Sequence, residues 1–331
     1  MATRDAARRR RGGAPVAAAP MHALVLATLL LRSTALAPVV SRRGMCERAG
    51  AAAAAAWTAA RPRSAAAAAP PLCDEAVSAL ANGKSTVYLV GTAHVSDVSA
   101  RLVAETIDAV RPTLVMVELD GKRVQGFGGE APGPATPLAP APVGQRLGAF
   151  VVGTVLRSLY KSLERLGLDT GQEFAVALRK ARSAGVPVLL ADRDVDETLR
   201  LVGDAVRKTT SKDLENFEAA LSPALAGDLT RTVDVASRDS VASTVELVKK
   251  RETVRTIVAA LEANAPALYD ALVDSRDAYM AASLLDRLGA AGPGQRVVAV
   301  VGMAHEDGIA RRLAARGFAP APRRALACAG G

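Results

Sequence analysis

One short pattern occurs twice in the sequence: a run of apolar residues stops at a glycine, and a histidine follows three residues later. The two copies read STVYLVGTAH at residues 85–94 and RVVAVVGMAH at residues 296–305. β-branched and apolar residues favour strands, and uninterrupted apolar runs are typical of strands covered on both faces. The pattern therefore predicts two buried strands, each ending in a turn that carries a histidine.

Two further buried strands are predicted between these copies, TLVMVEL at residues 113–119 and GVPVLLA at residues 185–191. A strand, a helix and a strand within so short a span are typical of parallel βαβ pairing. Helical spacing of apolar residues predicts helices at 145–166 and 171–184, and a long all-helical insertion at 195–288. The sequence thus predicts an α/β fold with a mostly parallel central sheet and a helical insertion before the last strand.

The first 70 residues differ in composition from the rest of the chain. They hold 11 arginines, no lysine and two acids, and so carry the whole formal net charge of +9. Subtracting them from 42 basic and 33 acidic residues leaves 31 of each, a balance that argues against a nucleic-acid-binding body. We predict a disordered leader at 1–75, a folded domain at 84–318 and a disordered tail at 319–331.

The leader's many arginines, many alanines and few acids are typical of organelle targeting, to a plastid or a mitochondrion. If translation began at Met21, the apolar run after it would resemble a signal peptide, as in a two-part plastid leader. A disordered tail or an error in the gene model are the other interpretations. The sequence contains no run of 18 apolar residues, so no membrane span is predicted. The three cysteines show no CxxC spacing and predict neither disulfides nor zinc.

Polar residues that follow the predicted strands are the candidate site. The body contains only two histidines, His94 and His305, and both follow strand ends. Ligands of open α/β sheets bind beyond the carboxyl ends of the parallel strands, so we expect these histidines to converge with Glu118, Asp192 and Arg193. Two neutral imidazoles and a carboxylate suit a divalent metal that retains an open position for water.

The chain resembles the TraB/PrgY family in a series of ordered segments: VYLVGTAHVS, VMVELDGKR, GQEF, LLADRDVDETLR, SRDAYM and VVAVVGMAHEDGI. The resemblance covers about residues 84–315. It implies a fold related to the Tiki metalloproteases and to the erythromycin-esterase/ChaN-like group, with His94, Glu118 and His305 at the site. One departure is Ser275, which stands where the family usually has a glutamate.

Several other charged residues lie in the family-like segments. Arg123 and Arg193 are predicted to hold a carboxylate or to stabilise an oxyanion, and so to join Glu118 in catalysis. Arg276 and Asp192 are predicted to bind substrate, as is Glu173 unless it only satisfies backbone donors at a helix start. The alternative is structural, because strand-end histidines often only hydrogen-bond, and Glu118 could form a buried ion pair with Arg123 or Arg193.

Three functions are compatible with this pattern. The first is a metal-dependent, peptidase-like hydrolase using manganese, cobalt or zinc, and the second is a metal-independent hydrolase with a histidine or glutamate base. The third is a non-catalytic domain that binds peptides or acts as an adaptor at an organelle membrane, as the resemblance permits. A peptide or small-molecule substrate, peripheral membrane association and a homo-oligomer are expected as partners.

Several common motifs are absent from the sequence: GxGxxG, a phosphate-binding loop, GxSxG and HExxH. We therefore expect no nucleotide or organic cofactor, and neither serine-hydrolase nor zincin chemistry.

Overall fold

A mixed sheet forms the centre of the computed structural model, which describes residues 71–93, 97–127, 171–232 and 250–321. The strands are β1 (Val77–Ala81), β2 (Ser85–Thr92), β3 (Leu114–Val117), β4 (Val188–Leu190), β5 (Gln295–Gly302) and β6 (Ala319–Pro320). Their order in the sheet is β4-β3-β5-β2-β1-β6. Strands β2 to β5 pair in parallel, whereas β1 is antiparallel to both β2 and β6.

Eight α-helices in the described residues lie between these strands in the chain. They are α1 (Asp97–Val110), α2 (Gln172–Ser183), α3 (Val195–Lys208), α4 (Ser211–Thr232), α5 (Arg251–Asn264), α6 (Pro266–Tyr269), α7 (Ser275–Ala291) and α8 (Met303–Ala314). A π-helical turn, Asp270–Asp274, joins α6 to α7. Within the described ranges, none of the helices combines the length and the apolar character that a membrane crossing requires.

The structure confirms the predicted α/β fold, its mostly parallel sheet and its helical insertion before the last long strand. The predicted helix at 145–166 lies outside the described residues, as do residues 1–70 of the leader. Strands β1 and β6 were not predicted, because β1 reads VSALA, with few β-branched residues, and β6 has two residues. Cys73 forms a disulfide, so the expectation of no disulfide is wrong; its partner lies outside the described residues.

Alternate residues of β5 show why the central strands read as continuous apolar runs. Val298 and Val300 face the layer formed by α1 and α2. Val297, Ala299 and Val301 face the opposite layer, which contains α7 and α8. Successive side chains of a strand point to opposite faces, so a sheet covered on both sides requires apolar residues at every position.

The helical insertion has an apolar core of its own, in addition to the two layers against the sheet. Buried residues from α3 to the π-helical turn form it, among them Val202, Phe217, Leu261, Leu268 and Leu272. Helix α7 continues from this core to the sheet, where Met280 and Leu284 are buried. The π-helical turn contributes Leu272 and Val273 to the core of the insertion, and α7 continues directly from it, so the two elements connect the insertion to the strands.

Helix α7 provides a test of this packing. Leu284 is fully buried against the sheet, and its replacement by alanine should lower the free energy of unfolding by about 2–5 kcal/mol through lost burial and a residual cavity. Tyr279 on the same helix is 47% exposed, so Tyr279→Ala should change that free energy by no more than about 0.5 kcal/mol. Urea unfolding followed by circular dichroism measures both; equal losses would contradict the packing described.

Candidate functional site

Four buried polar residues come from four separate elements and meet beyond the carboxyl ends of the strands. Glu118 follows β3 and Asp192 follows the residue after β4, while Arg276 lies in the first turn of α7. Helix α8 begins at the residue after Gly302, so His305 lies in a helical first turn rather than in the turn predicted from the sequence. The parallel strands thus bring together residues that are far apart in the chain.

Arg276 is the centre of this group. Its Nη2 donates to Glu118 Oε1 at 2.5 Å and to Asp192 Oδ2 at 2.6 Å, and its Nη1 lies 2.9 Å from His305 Nε2. Burial opposes the charge on the guanidinium, but Asp192 and Glu118 outweigh it and raise the pKa of Arg276 above its usual value. Arg276 is therefore a fully buried cation that two carboxylates neutralise.

Glu118 connects the ends of two strands. Its Oε2 accepts a hydrogen bond from the backbone N–H of Gly302 at 2.6 Å, and its Oε1 lies 3.3 Å from His305 Nε2. The first contact satisfies a backbone donor at the start of α8, where four N–H groups lack partners within the helix. The sequence alternative in which Arg123 or Arg193 pairs with Glu118 is not what the structure shows, because the ion pair forms with Arg276.

Asp277 holds the other nitrogen of the histidine ring. Its Oδ1 lies 2.6 Å from His305 Nδ1, and both side chains are buried. Burial raises the pKa of Asp277, an effect that His305 opposes. A histidine that binds a metal or acts as a base is commonly oriented by a carboxylate in this way. Asp277 was not predicted, although its position directly after Arg276 in SRDAYM was a usable signal.

The protonation of His305 is set by opposing neighbours. Burial disfavours the charged ring, but Glu118 and Asp277 favour it more strongly, and the pKa of His305 rises to about 10. An arginine only donates, however, so the 2.9 Å contact with Arg276 requires an unprotonated Nε2. Two N–H donors at that distance would repel each other. We therefore assign the neutral ring, with its proton on Nδ1, to the arrangement in which Arg276 is in contact.

A second buried arginine extends the network away from the histidine. Arg123 donates from Nη2 to Asp192 Oδ2 at 2.5 Å and from Nε to Asp120 Oδ2 at 2.8 Å. Burial raises the pKa of Asp192, but Arg276 and Arg123 outweigh it and hold that pKa below its usual range. Asp120 was not predicted; it follows Glu118 by two residues, and its carboxylate also accepts the backbone N–H of Arg123.

Arg193 is buried beside this network but has different partners. It donates to Thr198 Oγ1, Ser275 Oγ and the carbonyl oxygen of Ala271, each at 3.2 Å. None of the ion pairs among the described residues includes Arg193, and burial lowers the pKa of its guanidinium. Ser275, the departure from the family pattern, is thus one of its hydrogen-bond acceptors and supplies no charge.

The structure joins most of the predicted site residues in one network. Glu118, Arg123, Asp192, Arg276 and His305 belong to it, through the contacts given above. Arg193 contacts it through its backbone N–H, which donates to Asp192 Oδ1 at 2.8 Å. Glu173 is buried in the first turn of α2, and its role stays a prediction. His94 lies outside the described residues.

Two of the three predicted metal ligands are described, and their donor atoms have a suitable spacing. Two ligands about 2.0–2.1 Å from one tetrahedral ion are separated by roughly 3.3 Å, and Glu118 Oε1 lies 3.3 Å from His305 Nε2. With Asp277 on Nδ1, the chemistry of these donors fits a divalent metal. The described part of the chain contains no set of three or more such ligands, and the third predicted ligand, His94, is outside it.

Two glycines, Gly91 in the first motif and Gly308 just after the second, have a neighbour that leaves no space for a side chain. A Cβ on Gly91 would lie 2.8 Å from Glu306 Oε2, so the end of β2 packs directly against the first turn of α8. A Cβ on Gly308 would lie 1.7 Å from Asp277 Oδ2, the carboxylate that holds His305. These glycines were not predicted as site residues.

Glu306, next to His305, belongs to a second buried cluster. It forms an ion pair with Arg251 at the start of α5, and Arg251 also donates to the hydroxyl of Ser78 on β1. Burial raises the pKa of Glu306 to about 7, although Arg251 acts in the opposite direction. The cluster links the helical insertion to the antiparallel edge of the sheet.

Gly308→Ala should disturb the Asp277–His305 pair, because the added methyl group would overlap the carboxylate. We expect the free energy of unfolding to fall by about 1–3 kcal/mol, the usual cost of overpacking. Gly289→Ala on α7 is the matched control: a Cβ there meets nothing within 4 Å, and the substitution should be neutral or stabilising by up to about 1 kcal/mol. Denaturant unfolding of both variants measures the difference; an unaffected Gly308→Ala protein would refute the close contact.

The raised pKa of Glu306 predicts a pH dependence of stability. The folded state retains a proton at Glu306 up to about pH 7, whereas an unfolded glutamate with a pKa of 4.5 has lost it. Unfolding therefore releases a proton between these values, and the free energy of unfolding should decrease as the pH rises from 4.5 to 7, by on the order of 2 kcal/mol. Glu306→Gln should flatten this decrease in urea titrations at pH 5 and pH 8; an unchanged slope would show that Glu306 is not responsible.

Comparison with known proteins identifies the family of this chain. The family model described as TraB/PrgY/gumN matches residues 76–322. An uncharacterized protein of Methanocaldococcus jannaschii is 30% identical over 227 residues, which cover 69% of this chain and 53% of that protein. The human and mouse TraB domain-containing proteins are 30% and 29% identical, over 72% of this chain and 66% of theirs. The chain thus spans between half and two thirds of the length of these relatives. It belongs to the TraB/PrgY/gumN family.

Proposed function

We propose that this chain is a hydrolase of peptide-like substrates and that a divalent metal, manganese, cobalt or zinc, is held by His94, Glu118 and His305. The observation that carries the proposal is the oriented histidine: Asp277 holds Nδ1 at 2.6 Å, and Nε2 is directed to within 3.3 Å of a second carboxylate, Glu118. A carboxylate on one ring nitrogen and a converging donor beside the other are typical of catalytic imidazoles.

A metal bound there would supply a water molecule of lowered pKa. The chain's own residues then have separate tasks. Asp277 fixes the ring of His305 in the tautomer whose Nε2 is the acceptor, while the backbone N–H of Gly302 holds the far oxygen of Glu118. These two contacts fix the side chains of His305 and Glu118 in position before a metal binds.

Arg193 is the arginine best suited to meet a negative charge on the substrate. Arg123 and Arg276 each have two carboxylate partners, whereas the hydrogen bonds of Arg193 go to neutral oxygens. Three of its five N–H groups make those bonds, which leaves two for a carboxylate or an oxyanion. Arg123 supports Asp192 from the side opposite Arg276 and so acts on substrate only through that aspartate.

The position of Arg276 favours a second version of the same activity without a metal. Its guanidinium contacts both Glu118 and His305, and in that arrangement His305 is neutral. Once Arg276 moves away from Nε2, the neutral ring can accept a proton there as a general base. Complete burial of the three side chains also suits a non-catalytic domain that binds peptides or serves as an adaptor at an organelle membrane.

The three versions differ in metal content and turnover, and the chain contains a matched control. Its three histidines are His22, His94 and His305. The full-length protein and the variants His22→Ala, His94→Ala and His305→Ala are loaded with manganese, cobalt or zinc and freed of excess metal. Metal content is then measured by mass spectrometry, and hydrolysis with a library of quenched fluorescent peptides.

We expect about one metal per chain and peptide hydrolysis in the wild type and in His22→Ala, with a loss of at least about a hundredfold in activity in the other two variants. Hydrolysis that persists without metal and resists chelators would favour the metal-independent version. Folded protein with neither metal nor turnover under all conditions would rule out both hydrolases and leave the binding domain.

A further inference from the structure

We propose that Arg276 is a built-in competitor for the metal position: its guanidinium binds the two atoms that would ligate a divalent cation, so a cation enters only as Arg276 moves aside. This inference rests on the metal-dependent form of the proposed function. It concerns binding rather than turnover, and it assigns Arg276 a role other than holding substrate.

The contacts of Arg276 match those of a ligated cation. One guanidinium nitrogen, Nη2, donates to Glu118 Oε1 at 2.5 Å, and the other, Nη1, lies 2.9 Å from His305 Nε2. Glu118 Oε1 and His305 Nε2 are 3.3 Å apart, which is also the separation that a shared metal would require. A metal and Arg276 cannot bind the same lone pairs at the same time, so their binding is mutually exclusive.

Charge explains why the position is filled by a side chain when no metal is bound. Glu118 and Asp192 are both buried, and two unpaired carboxylates in such a place would be very costly. Arg276 pairs with both, Arg123 pairs with Asp192 as well, and the two carboxylates raise the pKa of Arg276. The network thus requires a cation beside Glu118 at all times, and either the guanidinium or a metal ion meets that requirement.

Asp192 gives Arg276 a second place to bind when it leaves Glu118. The Asp192 carboxylate accepts from Arg276 Nε at 3.2 Å and from Nη2 at 2.6 Å, a two-point contact that does not involve Glu118 or His305. Arg276 follows the π-helical turn Asp270–Asp274, an irregularity that is frequent at functional sites. A small rotation of the side chain about the Asp192 contact would release both metal-binding atoms without leaving the arginine unpaired.

Removal of the competitor should strengthen metal binding. The equilibrium affinity for zinc, manganese or cobalt is measured by competition with a chromogenic chelator, in full-length wild type and in Arg276→Gln. We expect Arg276→Gln to bind the metal at least about tenfold more tightly, because wild-type affinity is reduced by the fraction of molecules in which Arg276 blocks the position. Arg276→Lys, which keeps one charge but loses the two-point fork, should show a smaller increase.

Arg123→Gln is the matched control for the loss of a buried positive charge. Arg123 belongs to the same network through Asp192 but has no hydrogen bond to Glu118 or His305 among the contacts of the described residues. Its removal should therefore raise metal affinity much less than the removal of Arg276. If Arg276→Gln does not fold, as judged by circular dichroism, Arg276→Lys takes its place in the comparison.

An Arg276 variant that binds metal no more tightly than the wild type, or no more tightly than Arg123→Gln, would overturn the proposal. So would a complete absence of metal binding in every variant. Tighter binding without peptide hydrolysis in any variant would uphold the competition and reject the hydrolase. Metal-dependent hydrolysis by the wild type with unchanged metal affinity in the variants would uphold the hydrolase and reject the competition.

Discussion

The site depends on the ion pairs that the buried guanidinium of Arg276 forms. Arg276 comes from the helical insertion and is neutralised by carboxylates at the ends of two strands, Glu118 and Asp192. Breaking a buried pair by removing one partner typically costs about 3–5 kcal/mol, because an uncompensated charge remains. The sheet edge and the insertion therefore require each other: without α7 Glu118 loses its ion pair with Arg276, and without the strands the guanidinium has no counter-ion.

The same helix also orients the histidine. Arg276 and Asp277 are neighbours on α7, and they contact the two different nitrogens of His305. Because α7 packs on the sheet through Leu284 and the preceding π-helical turn packs in the core of the insertion through Leu272, apolar packing fixes the chain on both sides of Arg276 and Asp277. The close approach of Gly308 to Asp277 completes this arrangement, since any larger residue on α8 would separate the two helices.

Much of the fold could be predicted from the sequence, since the apolar strands and the helical spacing reflect local residue preferences and two-sided burial. Glu118, Asp192 and His305 could be predicted as site residues because they follow strands, and parallel strands place their carboxyl ends together. What could not be predicted was the pairing. Arg276 and Asp277 lie in the insertion, far from the strands in sequence, and their approach depends on how α7 packs. The short strand β1 could not be predicted either, because it carries few β-branched residues. The contact of Arg251 with Ser78 on that strand was therefore not predicted.

A network in which Glu118 and Asp192 already have guanidinium partners has a consequence for any ligand. A cation that binds Glu118 and His305 must replace contacts to Arg276 that already exist, so its net affinity is the difference between two similar sets of interactions. Protonation of His305 acts on the same contact, because an N–H at Nε2 cannot accept from the arginine. Proton and guanidinium thus compete for one lone pair, and a metal bound as proposed would compete with both, while the carboxylate of Asp192 keeps the arginine paired in each case.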